Sequence, residues 1–224
     1  MKTYLRPKSK IITIVANGTF PADNFLLKLR KVSDLIIACD GAIERLLKKK
    51  IKPDIVIGDF DSIKSKNLSN IKTLKITEQE TTDLEKAIKY IKDKRLTFYT
   101  LFLAGCLGKR EDFSLYNLHL LTRFADKRVV LIDKNFFVFS IKKFFRLSNV
   151  KLNVRTSILP VETSFIKESD GFYYDLTGLC LKYGKKESIS NVVNKKDLLI
   201  KISSGKVLLF IDINSLNGEL PWVK

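Results

Sequence analysis

The chain has little of what would staple it, anchor it in a membrane or bind a transition metal. Its three cysteines, Cys39, Cys106 and Cys180, are far apart, odd in number and without a CxxC pair. That argues against a disulfide framework and for reduced thiols in the cytoplasm. A single histidine, His119, argues against a multi-histidine metal site or a Ser-His-Asp triad, and among apolar helix positions it reads as half-buried packing. The one tryptophan, Trp222, reads as packing the tail down. No apolar run is long enough to span a bilayer, and residues 1–10 lack a secretion-type apolar segment, so no membrane association is expected. Acid is the scarcer charge: 24 Asp and Glu face 41 Lys and Arg, for a net +17. The lysines are scattered, and no helix-turn-helix, zinc-finger or RNP-type pattern is present. A solvated basic surface is therefore expected rather than a nucleic-acid footprint.

What remains is an ordinary soluble composition, 45% hydrophobic and 29% charged, in 224 residues: enough for one large domain or two modest ones. In the first half, short apolar runs at 11–16, 35–38, 55–57, 101–104 and 129–132 read as strands, of which the β-branched 55–57 is buried on both faces. Amphipathic segments lie between them. Asp23 and Asn24 are expected to cap a helix to Val32. Thr82 and Glu85 form a T-x-x-E capping box, and a further helix is expected over 113–124. This alternation predicts a mostly parallel sheet with helices on both faces. From Asn135 the pattern changes to short segments (136–141, 150–154, 157–160, 171–174, 198–202, 207–211) that predict an antiparallel β domain, with 188–191 as a loop. The expected division is 1–134 and 135–224.

The stretch Pro53-Asp54-Ile55-Val56-Ile57-Gly58-Asp59-Phe60-Asp61-Ser62 organises the rest. If the chain stays extended past Gly58, Asp59 and Asp61 face one point, a hard-oxygen pair suited to Mg²⁺. An acidic turn closing a strand is the alternative. Asp83 falls in the first turn of a helix, where the dipole alone favours a carboxylate. Gly105, Gly108, Lys109 and Arg110 before a helix start would cradle phosphate, or form a turn with two solvated cations; the P-loop spacing is not met. Asn17, Asp40, Asp59, Asp61, Gly105 and Arg110 all follow predicted strands, where such folds bind ligands, and together point to a metal-bound polyphosphate.

The order of these motifs resembles thiamine pyrophosphokinase over nearly the whole chain. It rests on Ala16-Asn17-Gly18, Ala38-Cys39-Asp40-Gly41, Gly58-Asp59-Phe60-Asp61-Ser62, Gln79 with Thr82-Asp83, Gly108-x-Arg110-x-Asp112 and Ser190-Asn191. The resemblance implies an α/β nucleotide-binding domain and a β-sandwich domain, in a homodimer whose sites use both subunits. It implies diphosphate transfer from ATP to the hydroxyethyl oxygen of thiamine, releasing AMP. Asp59, Asp61 and Asp83 would hold Mg²⁺, with Arg110 offsetting phosphate charge. Asn17, Asp40, Gly41, Gln79, Thr82, Gly108, Arg110 and Asp112 would line the ATP pocket, and Ser190 and Asn191 would reach thiamine. Three positions depart from the family pattern: Ala42 replaces a second glycine, Phe113 a histidine and Val192 a frequent acidic residue. The competing readings are a diphosphokinase acting on another alcohol such as a pterin, and a basic, non-catalytic nucleic-acid-binding protein.

Overall fold

The computed structural model describes residues 10–61 and 70–223. Residues 1–9 and Ser62, the last residue of the GDFDS stretch, lie outside the described residues. Buried β-branched runs become strands, and segments with one apolar stripe become the helices between them. In chain order these are β1 (Ile11–Val15), α1 (Asp23–Val32), β2 (Leu35–Cys39), α2 (Ile43–Lys48) and β3 (Ile55–Gly58). They are followed by β4 (Lys72–Lys75), α3 (Asp83–Asp93), β5 (Thr100–Ala104), α4 (Glu111–Leu121) and β6 (Val129–Ile132). All six strands pair in parallel, in the order β4-β3-β2-β1-β5-β6. Helices α1 and α2 cover one face through Phe25, Leu29, Ile43 and Leu46. Helices α3 and α4 cover the other through Leu84, Ala87, Ile91 and Leu120. The winding therefore reverses between β1 and β5, which opens a crevice at their carboxyl ends.

The second half adds β7 (Phe136–Ile141), β8 (Phe144–Leu147), β9 (Arg155–Pro160), β10 (Ser164–Asp170), β11 (Cys180–Leu181), β12 (Ser188–Val192), β13 (Leu198–Ser204) and β14 (Val207–Asp212). Strand β7 turns back on β6, with Ile132 opposite Phe137, and carries the first sheet onward antiparallel through β14, β9 and β12. One ten-stranded sheet thus runs through both halves of the chain. A second sheet, β11-β10-β13-β8, packs over its antiparallel part. Phe139, Ile158 and Leu209 of the first meet Phe145, Ile166 and Ile200 of the second in one core. The fold class is as the sequence predicts: a mostly parallel α/β sheet joined to an antiparallel β-sandwich.

Several local expectations are corrected. Ala22, not Asp23, stands at the N-cap of α1 without a side-chain bond, and Asp23 lies inside the first turn. Residues 150–154 and 171–174 are not strands: the first is a turn with Asn153 at φ 60°, and the second contributes only a Phe172–Val193 bridge. Residues 188–191 belong to β12 rather than a loop. His119 is exposed rather than half-buried. No helix among the described residues is long and apolar enough to cross a membrane.

Candidate active site

The crevice is built by backbone that approaches too closely for side chains. Past the strand ends, the Gly18 N–H donates to the Gly105 carbonyl at 2.6 Å and the Thr19 N–H to the Leu107 carbonyl at 2.6 Å, tying the two loops together. A Cβ on Gly18 would stand 2.4 Å from the Leu107 oxygen, and one on Gly41 would stand 2.1 Å from the Asn17 amide nitrogen. Ala42, in contrast, has φ −75° and ψ −26°, which any residue adopts, so the missing second glycine leaves this turn unstrained. A cleft of about 250 Å³ opens here, lined by Asn17, Gly18, Cys39, Asp83, Arg110 and Phe113 among others. A second, of about 580 Å³, shares Thr82, Asp83 and Phe113 with it and adds Asp59, Gln79, Lys86 and Asp112.

The acidic wall begins where β3 ends. The chain does not stay extended past Gly58: Phe60 has φ 68°, and the Asp61 N–H returns to Asp59 Oδ1 at 3.2 Å. This is a turn closed by its own aspartate, so Asp59 and Asp61 do not converge by strand alternation. Gln79 Nε2 donates to Asp59 Oδ2 at 3.0 Å. Gln79, then the Asp61 amide, hold the Asp59 carboxyl below the ordinary range, with Asp40 and Lys86 adding to this. Asp40 is buried against Gly58 at the end of β2.

Asp83 is the first residue of α3, behind the capping box. The Glu85 N–H donates to Thr82 Oγ1 at 3.3 Å and the Thr82 N–H to Glu85 Oε2 at 3.2 Å. Half-burial raises the Asp83 carboxyl above its ordinary value; the Lys86 ammonium works against this, and the Asp59 charge adds to it. Lys86 Nζ lies 3.3 Å from Asp83 Oδ1, and its side chain is only 3% exposed. A buried lysine is costly unless its charge is answered. Here the surrounding carboxylates answer it, and it in turn draws down Asp59 and Glu78. Burial pushes both thiols of the crevice up, Cys106 to about 12, so they line it as neutral groups.

The basic wall comes from the β5–α4 loop. Lys109, at φ 65°, donates from Nζ to Asn17 Oδ1 at 2.9 Å. Arg45 reaches in from α2, donating to the Gly18 carbonyl and lying 3.8 Å over the Phe20 ring. Burial and the nearby Arg45 charge lower the Lys109 ammonium. Arg110 grips Asp112 through two bonds, of 3.1 and 2.5 Å, and stacks 4.2 Å over Phe113. The residue that replaces the family histidine thus supports the arginine. Lys86 and Arg45 went unread as site residues: each occupies an amphipathic helix, where a cation carries no spacing signal.

The structure brings Asn17, Asp40, Gly41, Asp59, Gln79, Thr82, Asp83, Gly108, Arg110 and Asp112 around the adjoining clefts, with Asp61 exposed at their edge. It does not bring Ser190 and Asn191 there. They lie on β12, five strand spacings beyond β5 in the same sheet, or roughly 24 Å at about 4.8 Å per spacing. Ser190 stands at φ 56° in an irregularity of the β12–β9 pairing. Asn191 is buried, and its amide is spent on its own chain. Its Oδ1 accepts from the Tyr174 N–H at 3.1 Å, and its Nδ2 donates to the Tyr174 carbonyl at 2.8 Å and to Ser188 Oγ at 3.1 Å.

Among the described residues no group of three or more His, Cys, Asp or Glu is already arranged to hold an ion. The donor chemistry nevertheless fits a hard cation. Asp59 is held ionised, Asp83 is raised partly by the Asp59 charge, and oxygen ligands are what Mg²⁺ takes.

A doubly wound α/β sheet with facing acidic and basic walls at its switch point defines a protein built to bind a charged ligand at the strand ends. The family described as thiamin pyrophosphokinase, catalytic domain, matches residues 26–132. Thiamin pyrophosphokinase 1 of Caenorhabditis elegans is 32% identical over 185 residues, 76% of this chain and 76% of that protein. Thiamine pyrophosphokinase 1 of Arabidopsis thaliana is 30% identical, over 85% and 82%. The chain belongs to the thiamin pyrophosphokinase family. Its fold matches the Bacillus subtilis thiamine pyrophosphokinase (TM-score 0.78, 22% identity, 91% of this chain and 99% of that one). It also matches the yeast thiamin pyrophosphokinase (0.79, 18%, 97% and 91%).

Proposed function

We propose that the protein transfers a diphosphate from ATP to the hydroxyethyl oxygen of thiamine, giving thiamine diphosphate and AMP. Family membership supports the reaction, and the observation that carries it is that Asp59 and Gln79 line one cleft and Lys109 and Arg110 the adjoining one, with Asp83 in the wall of both. The thiamine oxygen bonds to the β-phosphorus, the α–β bridging bond breaks, its oxygen leaves with AMP, and the hydroxyl proton is released. Asp59, Asp61 and Asp83 would hold a Mg²⁺ whose charge, when bound, offsets the negative charge on the transferring group. Gln79 orients Asp59, and Lys86 keeps the acidic wall ionised without closing it. Arg110, released from Asp112, meets the phosphates, while Asn17, Asp40, Gly41, Thr82 and Gly108 shape the nucleotide pocket. Incubation with ATP, Mg²⁺ and thiamine should yield equal AMP and thiamine diphosphate by chromatography; a folded protein that yields neither refutes the reading.

The labour divides near Lys134, with phosphate handling in 1–134 and thiamine recognition in 135–224. Because β12 lies so far from the crevice within one chain, the site is completed across a homodimer, Ser190 and Asn191 coming from the second copy. Asn191 acts there by holding the Tyr173–Tyr174 pair, both rings exposed and 5.0 Å apart, rather than by touching thiamine itself. A cytoplasmic location fits the free thiols and the use of ATP.

A further inference from the structure

A cleft of about 810 Å³, within the range of small-molecule sites, lies away from this chemistry. Arg128 and Tyr99 mark its place: they directly precede β6 and β5, at the amino ends of the parallel strands, whereas the crevice is at the carboxyl ends. The length of such a strand, roughly 15 Å, separates the two.

The walls are aromatic and cationic. The Trp222 ring is held edge-on by Phe139 at 5.1 Å and Phe145 at 6.0 Å and remains partly exposed, while Phe144, elsewhere in the lining, is 50% exposed. Trp222 is also at φ 57°, a left-handed backbone that persists in a non-glycine residue only where its surroundings hold it. Arg128 stacks 4.1 Å over Tyr99 and lies 5.9 Å from the Trp222 ring. Lys127, Arg128 and Arg146 line the cleft, and no salt bridge engages them among the described residues.

The two acids of the lining are already occupied. Asp126 Oδ1 accepts the N–H groups of Lys142, Lys143 and Phe144 at 2.9, 2.9 and 3.3 Å, and Glu219 is held by Lys28 at 2.7 Å. Three cations, Lys127, Arg128 and Arg146, thus outnumber the two acids, of which Glu219 is already ion-paired, and the net charge of the cleft is positive.

We propose that this cleft is a second binding site, for a planar aromatic molecule carrying a phosphate or diphosphate. The ring stacks against the exposed part of Trp222, and the phosphate pairs with Arg128 and Arg146, whose planar forks suit it. Both nucleotides and thiamine phosphates have this chemistry, and the site requires only what they share.

Trp222 is the only tryptophan, so its fluorescence reports this cleft directly. Titration with AMP and with thiamine diphosphate should give a saturable change, and comparing them assigns the source. Adenosine alone and inorganic diphosphate alone, each half of the ligand, should bind at least about tenfold more weakly. The Arg128→Gln/Arg146→Gln double variant, folded by circular dichroism, should lose the response to a similar degree. An Arg110→Gln variant should keep it even if it cannot catalyse, which separates this site from the proposed reaction. Three results overturn the proposal: no saturable change with either probe, a response indifferent to the two arginines, or one abolished by Arg110→Gln alone. A Trp222 shielded from iodide and silent to both probes also overturns it, because protein then covers the cleft.

Discussion

Asp40 and Gly58 are packed backbone to side chain across β2 and β3: a Cβ added to Gly58 would stand 2.4 Å from the Asp40 Cβ and 3.2 Å from its Cα. The glycine that ends β3 is there because a carboxylate needs its space, at a point where the next residue is Asp59. Replacing Gly58 by alanine should therefore act on both stability and chemistry. Overpacking of this kind costs about 1–3 kcal/mol, and displacement of Asp40 should lower turnover further. Thermal melting and steady-state kinetics of Gly58→Ala check both; unchanged kcat with a lowered Tm would remove Asp40 from the site.

Asp61→Asn should abolish transfer while leaving the fold intact. Its side chain is exposed and no core contact depends on it. Losing one oxygen ligand at a phosphate site should cost about 100-fold or more in kcat. Full activity in the folded variant would withdraw Asp61 from the ligand set.

The acid side of the rate profile should belong to Asp83. Its carboxyl is raised above the ordinary 3.8, mainly by burial, and Lys86 opposes the rise. The free protein should thus lose kcat/KM for ATP at a pH above that of an ordinary aspartate. Removing the opposing charge in Lys86→Met raises Asp83 further, so the acid limb should move to higher pH. For stability the sign is opposite to that of a salt-bridged acid. A carboxyl whose folded value is raised contributes stability below 3.8, and loses it as pH rises through the folded value. An acid limb that stays in place in Lys86→Met would dissociate the two residues.

Asn191→Ala should raise KM for thiamine and leave KM for ATP unchanged, because the amide closes on Tyr174 and not on the crevice. Leaving the Tyr174 backbone unpaired should also cost about 1–3 kcal/mol. A matching rise in KM for ATP would place Asn191 with the nucleotide instead.

The proposed completion of the site across a homodimer has a sharp complementation test. Equal amounts of inactive Asp61→Asn and of Asn191→Ala, assayed at a thiamine concentration too low for Asn191→Ala alone and once subunit exchange is shown with tagged chains, should form about half mixed dimers. Each then has one intact site, so activity should return to roughly a quarter of the unmodified level. With exchange demonstrated and no return, each site is built within one chain.

Five of the six parallel strands were legible because each is a short apolar run buried along nearly its whole length. Strand β4 was not: Lys72-Thr73-Leu74-Lys75 lies at the sheet edge, mostly exposed, and is a strand only because β3 is beside it. Strand β12 looked like a loop for a similar reason, since Ile189 is 62% exposed and its pairing with β9 is irregular. The motif residues of the crevice were readable from their place after strands. The turn at Phe60 was not, because a left-handed aromatic has no sequence signature, and neither was the pairing of Asn191 with Tyr174, seventeen residues away in the chain.

The family match stops at residue 132, yet the hydrogen-bonded ladder does not: Ile132 pairs with Phe137 on β7. A chain cut there would leave β6 with a raw apolar edge, Val129-Val130-Leu131-Ile132, offered to any other strand in solution. Such edges template aggregation unless they are charged, bulged or covered. The hairpin at Lys134 therefore works as a seal on the half that carries the family match, and anyone trimming the protein after β6 would need to keep β7 or redesign the exposed edge of β6.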